Sequence, residues 1–167
     1  MTRSVTTDRI HRIEAFVRET MDTVVNPDLR IGHDIKHVER VRRNALIIAR
    51  AEGFPDLDLI EAAALLHDIG LAHIKTRDRH GPVGAEIAAR FLREQHLFAE
   101  DEIAAIAKAI HNHSLIHGDW DTLGYILRDA DILDTLGAVG LMRAFTSKYF
   151  KSEYDPECVK GETWSLS

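Results

Sequence analysis

The chain has 167 residues, 45% of them hydrophobic and 29% charged. That suits one soluble globular domain and excludes global disorder. The net charge of −6, from 21 basic and 27 acidic residues, argues against nonspecific nucleic-acid binding. Cys158 is the sole cysteine, so an internal disulfide is excluded and a reducing cytoplasm is expected.

The predicted elements are helical throughout. Ile10, Ile13, Val17 and Met21 recur at helical spacing and predict a first helix over roughly residues 7 to 25, ended by Asn26-Pro27. Val38, Val41, Ala45 and Ile48 predict a second, stopped by Gly53. Pro55-Asp56 opens a third, with Leu59, Ala62, Ala63 and Leu66 on one face and a stop at Gly70. Residues 71 to 80 are polar and read as a loop. Gly81-Pro82 starts a fourth helix with Val83, Ile87 and Phe91; Ile103, Ile106 and Ile110 mark a fifth. A sixth begins near Thr122 with Leu123, Ile126, Leu127 and Ala130. A seventh follows Gly137, its stripe formed by Leu141, Met142, Phe145 and Tyr149. The apolar runs reach only five residues, as in Ala62 to Leu66, too short for a membrane span. The polar start lacks the apolar core of a signal peptide. The expected fold is all-α: a helical bundle over residues 1–150 and an irregular tail over 151–167. That tail reads either as a truncated C-terminus or as a naturally frayed end.

Ten histidines stand out in so short a chain, because histidine is both a common metal ligand and the usual acid–base group near neutral pH. His67-Asp68 closes the apolar run of the third helix. A carboxylate at a helix C-terminus opposes the helix dipole unless a cation offsets it, although a buried His beside a solvated Asp has the same pattern. His37 shares the inward stripe of Val41 and Ile48, with His33 one turn earlier. Asp129, Asp131 and Asp134 crowd one apolar helix, and Asp131 and Asp134 share a face. His113 continues the stripe of Ile106 and Ile110, and His80 stands at a helix start. His11, His73 and His96 read as surface residues. Histidine and carboxylate groups from facing helices are how bundles build metal sites. A mixed N/O set suits Mn²⁺, Fe²⁺, Co²⁺, Ni²⁺ or Zn²⁺ better than Mg²⁺ alone.

Four ordered motifs carry a resemblance. His33-Asp-Ile-Lys-His37-Val-Glu-Arg-Val, Ala-Leu-Leu-His67-Asp68-Ile-Gly, the pair His80…Gly84-Ala-Glu-Ile-Ala and Ala-Ile-His-Asn-His113-Ser, and Leu-Arg-Asp-Ala-Asp131-Ile-Leu-Asp134-Thr-Leu-Gly-Ala-Val-Gly resemble the motifs of the HD-domain metal-dependent phosphohydrolases. The last segment is most similar to the small stand-alone bacterial branch, some of whose members split nucleoside triphosphates to monophosphates and pyrophosphate. The resemblance covers residues 30 to 145. It implies His37, His67, Asp68 and Asp131 as metal ligands and a nucleotide or other small phosphate compound as substrate, with Mg²⁺ as a further cation of the substrate complex. Ile69-Gly70-Leu71 carries no acidic residue where some HD nucleotidases place one. Proton transfer then falls to Asp68, His80, His113 or Asp134. Lys36, Arg40 and Lys75 are the candidate phosphate contacts. Two other readings stand beside this one: a dinuclear phosphodiesterase or diiron oxygenase using His80 and His113, or a non-catalytic ligand-binding module.

Overall fold

The computed structural model describes residues 2–24, 32–74, 79–115 and 118–147. Among these, all regular structure is helical: α1 (Thr2–Met21), α2 (Ile35–Ala51), α3 (Leu57–Leu66), a 3₁₀ turn (Ile69–His73), α4 (His80–Glu94), α5 (Glu100–Asn112), α6 (Thr122–Leu133) and α7 (Gly137–Ser147). The all-α expectation holds. Lys75, Tyr149 and the tail 151–167 lie outside the described residues.

α3 is the centre of the bundle. Ile60, Ala62, Ala63, Ala64, Leu65 and Leu66 are all buried, so it is covered nearly all round, as its continuous apolar run requires. α1, α2, α5 and α6 pack against it. Each brings one stripe: Ile10, Ile13, Val17 and Met21 from α1, Val38, Val41, Ala45 and Ala49 from α2, Ile103, Ile106 and Ile110 from α5, Leu123, Ile126, Leu127 and Ala130 from α6. Three of the helix starts are capped by aspartate side chains. Asp34 accepts the His37 N–H at 3.0 Å, Asp56 accepts from Asp58 and Leu59, and Asp121 accepts from Gly124 at 2.9 Å. Gly53, at φ +66°, ends α2 in the left-handed region.

Two helix ends and the facing of one helix depart from the sequence reading. α1 ends at Met21, before Asn26-Pro27; the Thr23 hydroxyl donates to the Thr20 carbonyl at 2.6 Å and caps the last turn. α3 ends at Leu66 instead of Gly70, and the chain tightens into the 3₁₀ turn, so residues 71 to 73 are not loop. α7 forms as expected, but its stripe does not face the bundle. Leu141, Met142 and Phe145 are 59%, 61% and 55% exposed.

Close backbone approach places the 3₁₀ turn and α5 against α4. A Cβ on Gly70 would lie 2.2 Å from the His80 carbonyl oxygen, and one on Gly81 would lie 2.7 Å from the His111 carbonyl oxygen. Only glycine permits either contact. They bring the start of α4, with His80, onto the end of α5, with His113.

Candidate metal centre

The C-terminal end of α3 supplies two side chains to one point. His67 is its C-cap, and Asp68 follows with φ −97° and ψ 5°, in the sparsely populated bridge region. α2 supplies His37 and α6 supplies Asp131. His37 and His67 are fully buried, Asp68 is 2% exposed, and the Asp131 side chain is about one-fifth exposed. The donor atoms converge. His37 Nε2 is 3.2 Å from His67 Nε2, 3.4 Å from Asp68 Oδ2 and 3.3 Å from Asp131 Oδ1. His67 Nε2 is 3.4 Å from Asp68 Oδ2.

The other ring nitrogens settle the tautomers. His67 Nδ1 lies 2.8 Å from the Ala64 carbonyl oxygen. A carbonyl only accepts, so Nδ1 carries the hydrogen and Nε2 of a neutral His67 presents a lone pair. His37 Nδ1–H donates to Asp134 Oδ2 at 2.8 Å, leaving its Nε2 to face the cluster in the same way. His37 Nε2 thus stands 3.2–3.4 Å from each of the other three donors, His67 Nε2 stands 3.4 Å from Asp68 Oδ2, and His37, His67 and Asp131 offer donor atoms within 4.8 Å of one another. Ligands about 2.1 Å from one ion stand about 3.0 Å apart at right angles and about 3.4 Å apart tetrahedrally. The donor set therefore fits a divalent transition cation in both chemistry and spacing.

The electrostatics follow from this crowding. Burial pushes His37 down, but its bonds to Asp131, Asp134 and Asp68 outweigh burial and raise it to about 10. His67 is opposed by burial and raised by Asp68. Against burial, His67 and His33 hold Asp68 well below the usual carboxylate range, and His37 does the same for Asp131. Carboxylates that stay ionised in the interior are those with a cation to face, here a proton on His37 or a metal ion.

Asp68 has a second side. Its Oδ1 faces His80 Nε2 at 3.6 Å and His113 Nε2 at 3.8 Å. Those two nitrogens are 3.0 Å apart. His113 Nδ1–H donates to the Ile110 carbonyl at 2.7 Å, so neutral His113 accepts at Nε2 and His80 is the donor. Burial, then His67 and His80, push His113 down to about 4, which keeps it neutral at pH 7.

The expected residues therefore divide. His37, His67, Asp68 and Asp131 come together, and His80 and His113 stand beside them. Asp134 stands in a different place. It is buried behind His37, with Oδ1 taking Arg40 Nε at 2.6 Å and Oδ2 taking His37 Nδ1, Arg40 Nη2 at 2.9 Å and Arg143 Nη1 at 2.8 Å. Burial opposes, but His37 and Arg40 lower it to about 2. A carboxylate so engaged orients the His37 ring, and both of its oxygens already accept hydrogen bonds. Arg40 is occupied by Asp134. Together with exposed Lys36 it lines an open cavity of about 500 Å³. Asp129, His11, His73 and His96 are exposed.

Two residues at the site carry no role in the sequence reading. His33 Nδ1 lies 2.7 Å from Asp68 Oδ2, a hydrogen-bond length; its place one turn before His37 was the available signal. Arg143, on α7, had none.

A family model described as the HD domain matches residues 34–136. With the helical bundle and the His/Asp centre, it shows that the chain belongs to the HD-domain family, whose members bind divalent metals. Within it the chain is similar to YpgQ of Bacillus subtilis, 31% identical over 125 residues, covering 68% of this chain and 56% of that protein. The chain thus spans little more than half the length of that relative. A crystal structure described as a predicted HD superfamily hydrolase, from an uncultured Thermotogales bacterium, superposes with a TM-score of 0.68 at 38% identity, over 81% of this chain and 74% of that one. The structure of Bacillus subtilis YpgQ in complex with ADP superposes at 0.68 and 26% identity, over 88% and 69%. Among the described residues, no helix is long and apolar enough to cross a membrane.

Proposed function

We propose that this protein is a metal-dependent phosphohydrolase that cleaves a phosphate ester or anhydride of a nucleotide, with the splitting of a nucleoside triphosphate into monophosphate and pyrophosphate as the reaction to test first. The observation that carries the reading is the convergence of His37, His67, Asp68 and Asp131 at ligand spacing beside a second, proton-competent pair. The ADP bound to YpgQ supports a nucleotide as substrate. Mn²⁺, Fe²⁺, Co²⁺, Ni²⁺ and Zn²⁺ all suit the donor set, with Mg²⁺ accompanying the substrate phosphates. The single cysteine supports a cytoplasmic setting.

His37, His67, Asp68 and Asp131 would hold the ion, which when bound polarises a phosphoryl oxygen and acidifies a water. Asp134 keeps the His37 ring in the tautomer that presents Nε2, and the Ala64 carbonyl does so for His67. His33 fixes the Asp68 carboxylate by holding Oδ2, which leaves Oδ1 to accept a proton from water. His80 Nε2–H, now held by His113, is the donor best placed to protonate a leaving oxygen. His80 also stands at the start of α4, where the helix dipole favours an anion. Lys36, and Lys75 outside the described residues, remain the proposed phosphate contacts.

A second reading rests on Asp68 having one oxygen toward each pair of histidines. Asp68 Oδ1 has His80 Nε2 at 3.6 Å and His113 Nε2 at 3.8 Å, while Oδ2 faces His37 and His67, so Asp68 could bridge two ions. Metal analysis of the purified protein, followed by a nucleotide panel with phosphate and pyrophosphate measured separately, tests both. One ion per chain and pyrophosphate release support the first reading. Two ions favour the bridged centre. Oxygen consumption without release from any nucleotide refutes the hydrolase. Asp68→Ala should abolish hydrolysis and reduce bound metal.

A further inference from the structure

α7 sits sparsely on the described bundle and turns Leu141, Met142 and Phe145 outward. Among the described residues, Arg143 ties it to the bundle through polar contacts. Arg143 Nη1 donates to the Asp134 carbonyl at 3.1 Å and to Asp134 Oδ2 at 2.8 Å. Its Nε donates to the Gly32 carbonyl at 3.0 Å, and its Nη2 donates to the same oxygen. The guanidinium is largely enclosed, with the side chain 15% exposed.

Both acceptors lead to the metal centre. Asp134 Oδ2 is the oxygen that holds His37 Nδ1. Gly32 is bonded to His33, whose ring holds Asp68 Oδ2. The segment before α2 and the turn after α6 are therefore tied by one planar fork, 111 residues from the first and nine from the second. Asp131 lies one turn before Asp134 on the same helix end.

We propose that Arg143 is a positioning residue of the metal centre, clamping Asp134 behind His37 and the Gly32–His33 segment behind Asp68, so that ligands from α2, α3 and α6 keep their spacing. This rests on the metal reading above. A guanidinium suits the task because its donors diverge in a fixed plane, whereas an ammonium is a single point that cannot reach both acceptors in the same geometry.

The test is Co²⁺ binding by the metal-stripped protein, read from the visible d–d spectrum, with the melting temperature of the stripped protein recorded alongside. Arg143→Ala should weaken Co²⁺ binding by about 10- to 100-fold, the usual loss when an orienting partner is removed. It should also change the d–d band shape while the stripped protein melts within a few degrees of wild type. Guanidinium ion added to Arg143→Ala should recover part of the affinity. Arg143→Lys keeps the charge and much of the stem, and should still lose several-fold; it decides the matter if the alanine variant does not fold. Unchanged affinity and spectrum in Arg143→Lys, or a raised KM for nucleotide with unchanged metal binding, overturns the proposal and makes Arg143 a structural or substrate contact. If wild type itself binds no Co²⁺, the metal reading fails first.

Discussion

The metal-free protein should lose stability as pH rises through the neutral range. His37 is raised from 6.5 to about 10 in the folded state, and it is fully buried, so bulk water does not screen its partners. A raised pKa contributes stability that is complete below the unfolded value of 6.5 and is lost as pH climbs toward 10. Between those limits the folded state holds up to one proton more than the unfolded chain. The slope is then about 1 kcal/mol per pH unit. From pH 7 to 9 the loss is about 2–3 kcal/mol, which for a chain of this size lowers Tm by roughly 5–10 °C. His67 shifts in the same direction and adds to the effect. His113, lowered to about 4, changes stability only below 6.5 and leaves the window alone. A divalent ion would take the place of the His37 proton. The loaded protein should therefore melt at nearly constant temperature over the same range, and metal affinity should rise up to tenfold per pH unit for each proton displaced. The assay is thermal melting of chelator-stripped and metal-loaded protein at pH 7, 8 and 9. A stripped protein whose Tm is flat or rises over that range refutes the reasoning.

Other perturbations separate the parts of the site. His80→Ala combined with His113→Ala should cut turnover sharply while bound metal stays near one ion per chain; a drop from two ions to one would establish the bridged centre. Gly70→Ala forces a Cβ to within 2.2 Å of the His80 carbonyl, so α4 must back away by about 1 Å, at a cost near 1–3 kcal/mol by analogy with overpacked cores. Its kcat should fall by up to about 100-fold, and unchanged kcat would show that His80 takes no part. Asp134→Asn should weaken metal binding by about 10- to 100-fold with Asp131 intact; a large fall in kcat with metal affinity preserved would restore Asp134 to proton transfer.

Much of this was open to a reader of the sequence. Helical periodicity alone gives the bundle, because an apolar stripe at three- and four-residue spacing has no other way to leave water. His37 on the stripe of Val41, and His67-Asp68 at the end of an apolar run, face inward for the same reason. Periodicity overreached at α7, where the stripe is real but faces out. It could not assign Asp134, since Asp131 and Asp134 share a helix face and differ only in what stands opposite them. What lies opposite is set by contacts distant in the chain: His37 with Asp134 across 97 residues, Asp68 with His33 across 35, Gly32 with Arg143 across 111. Local sequence determines which side of a helix is buried. Only the packing of one helix end on another determines which oxygen of Asp68 faces which pair of histidines, and that decides what the centre can bind.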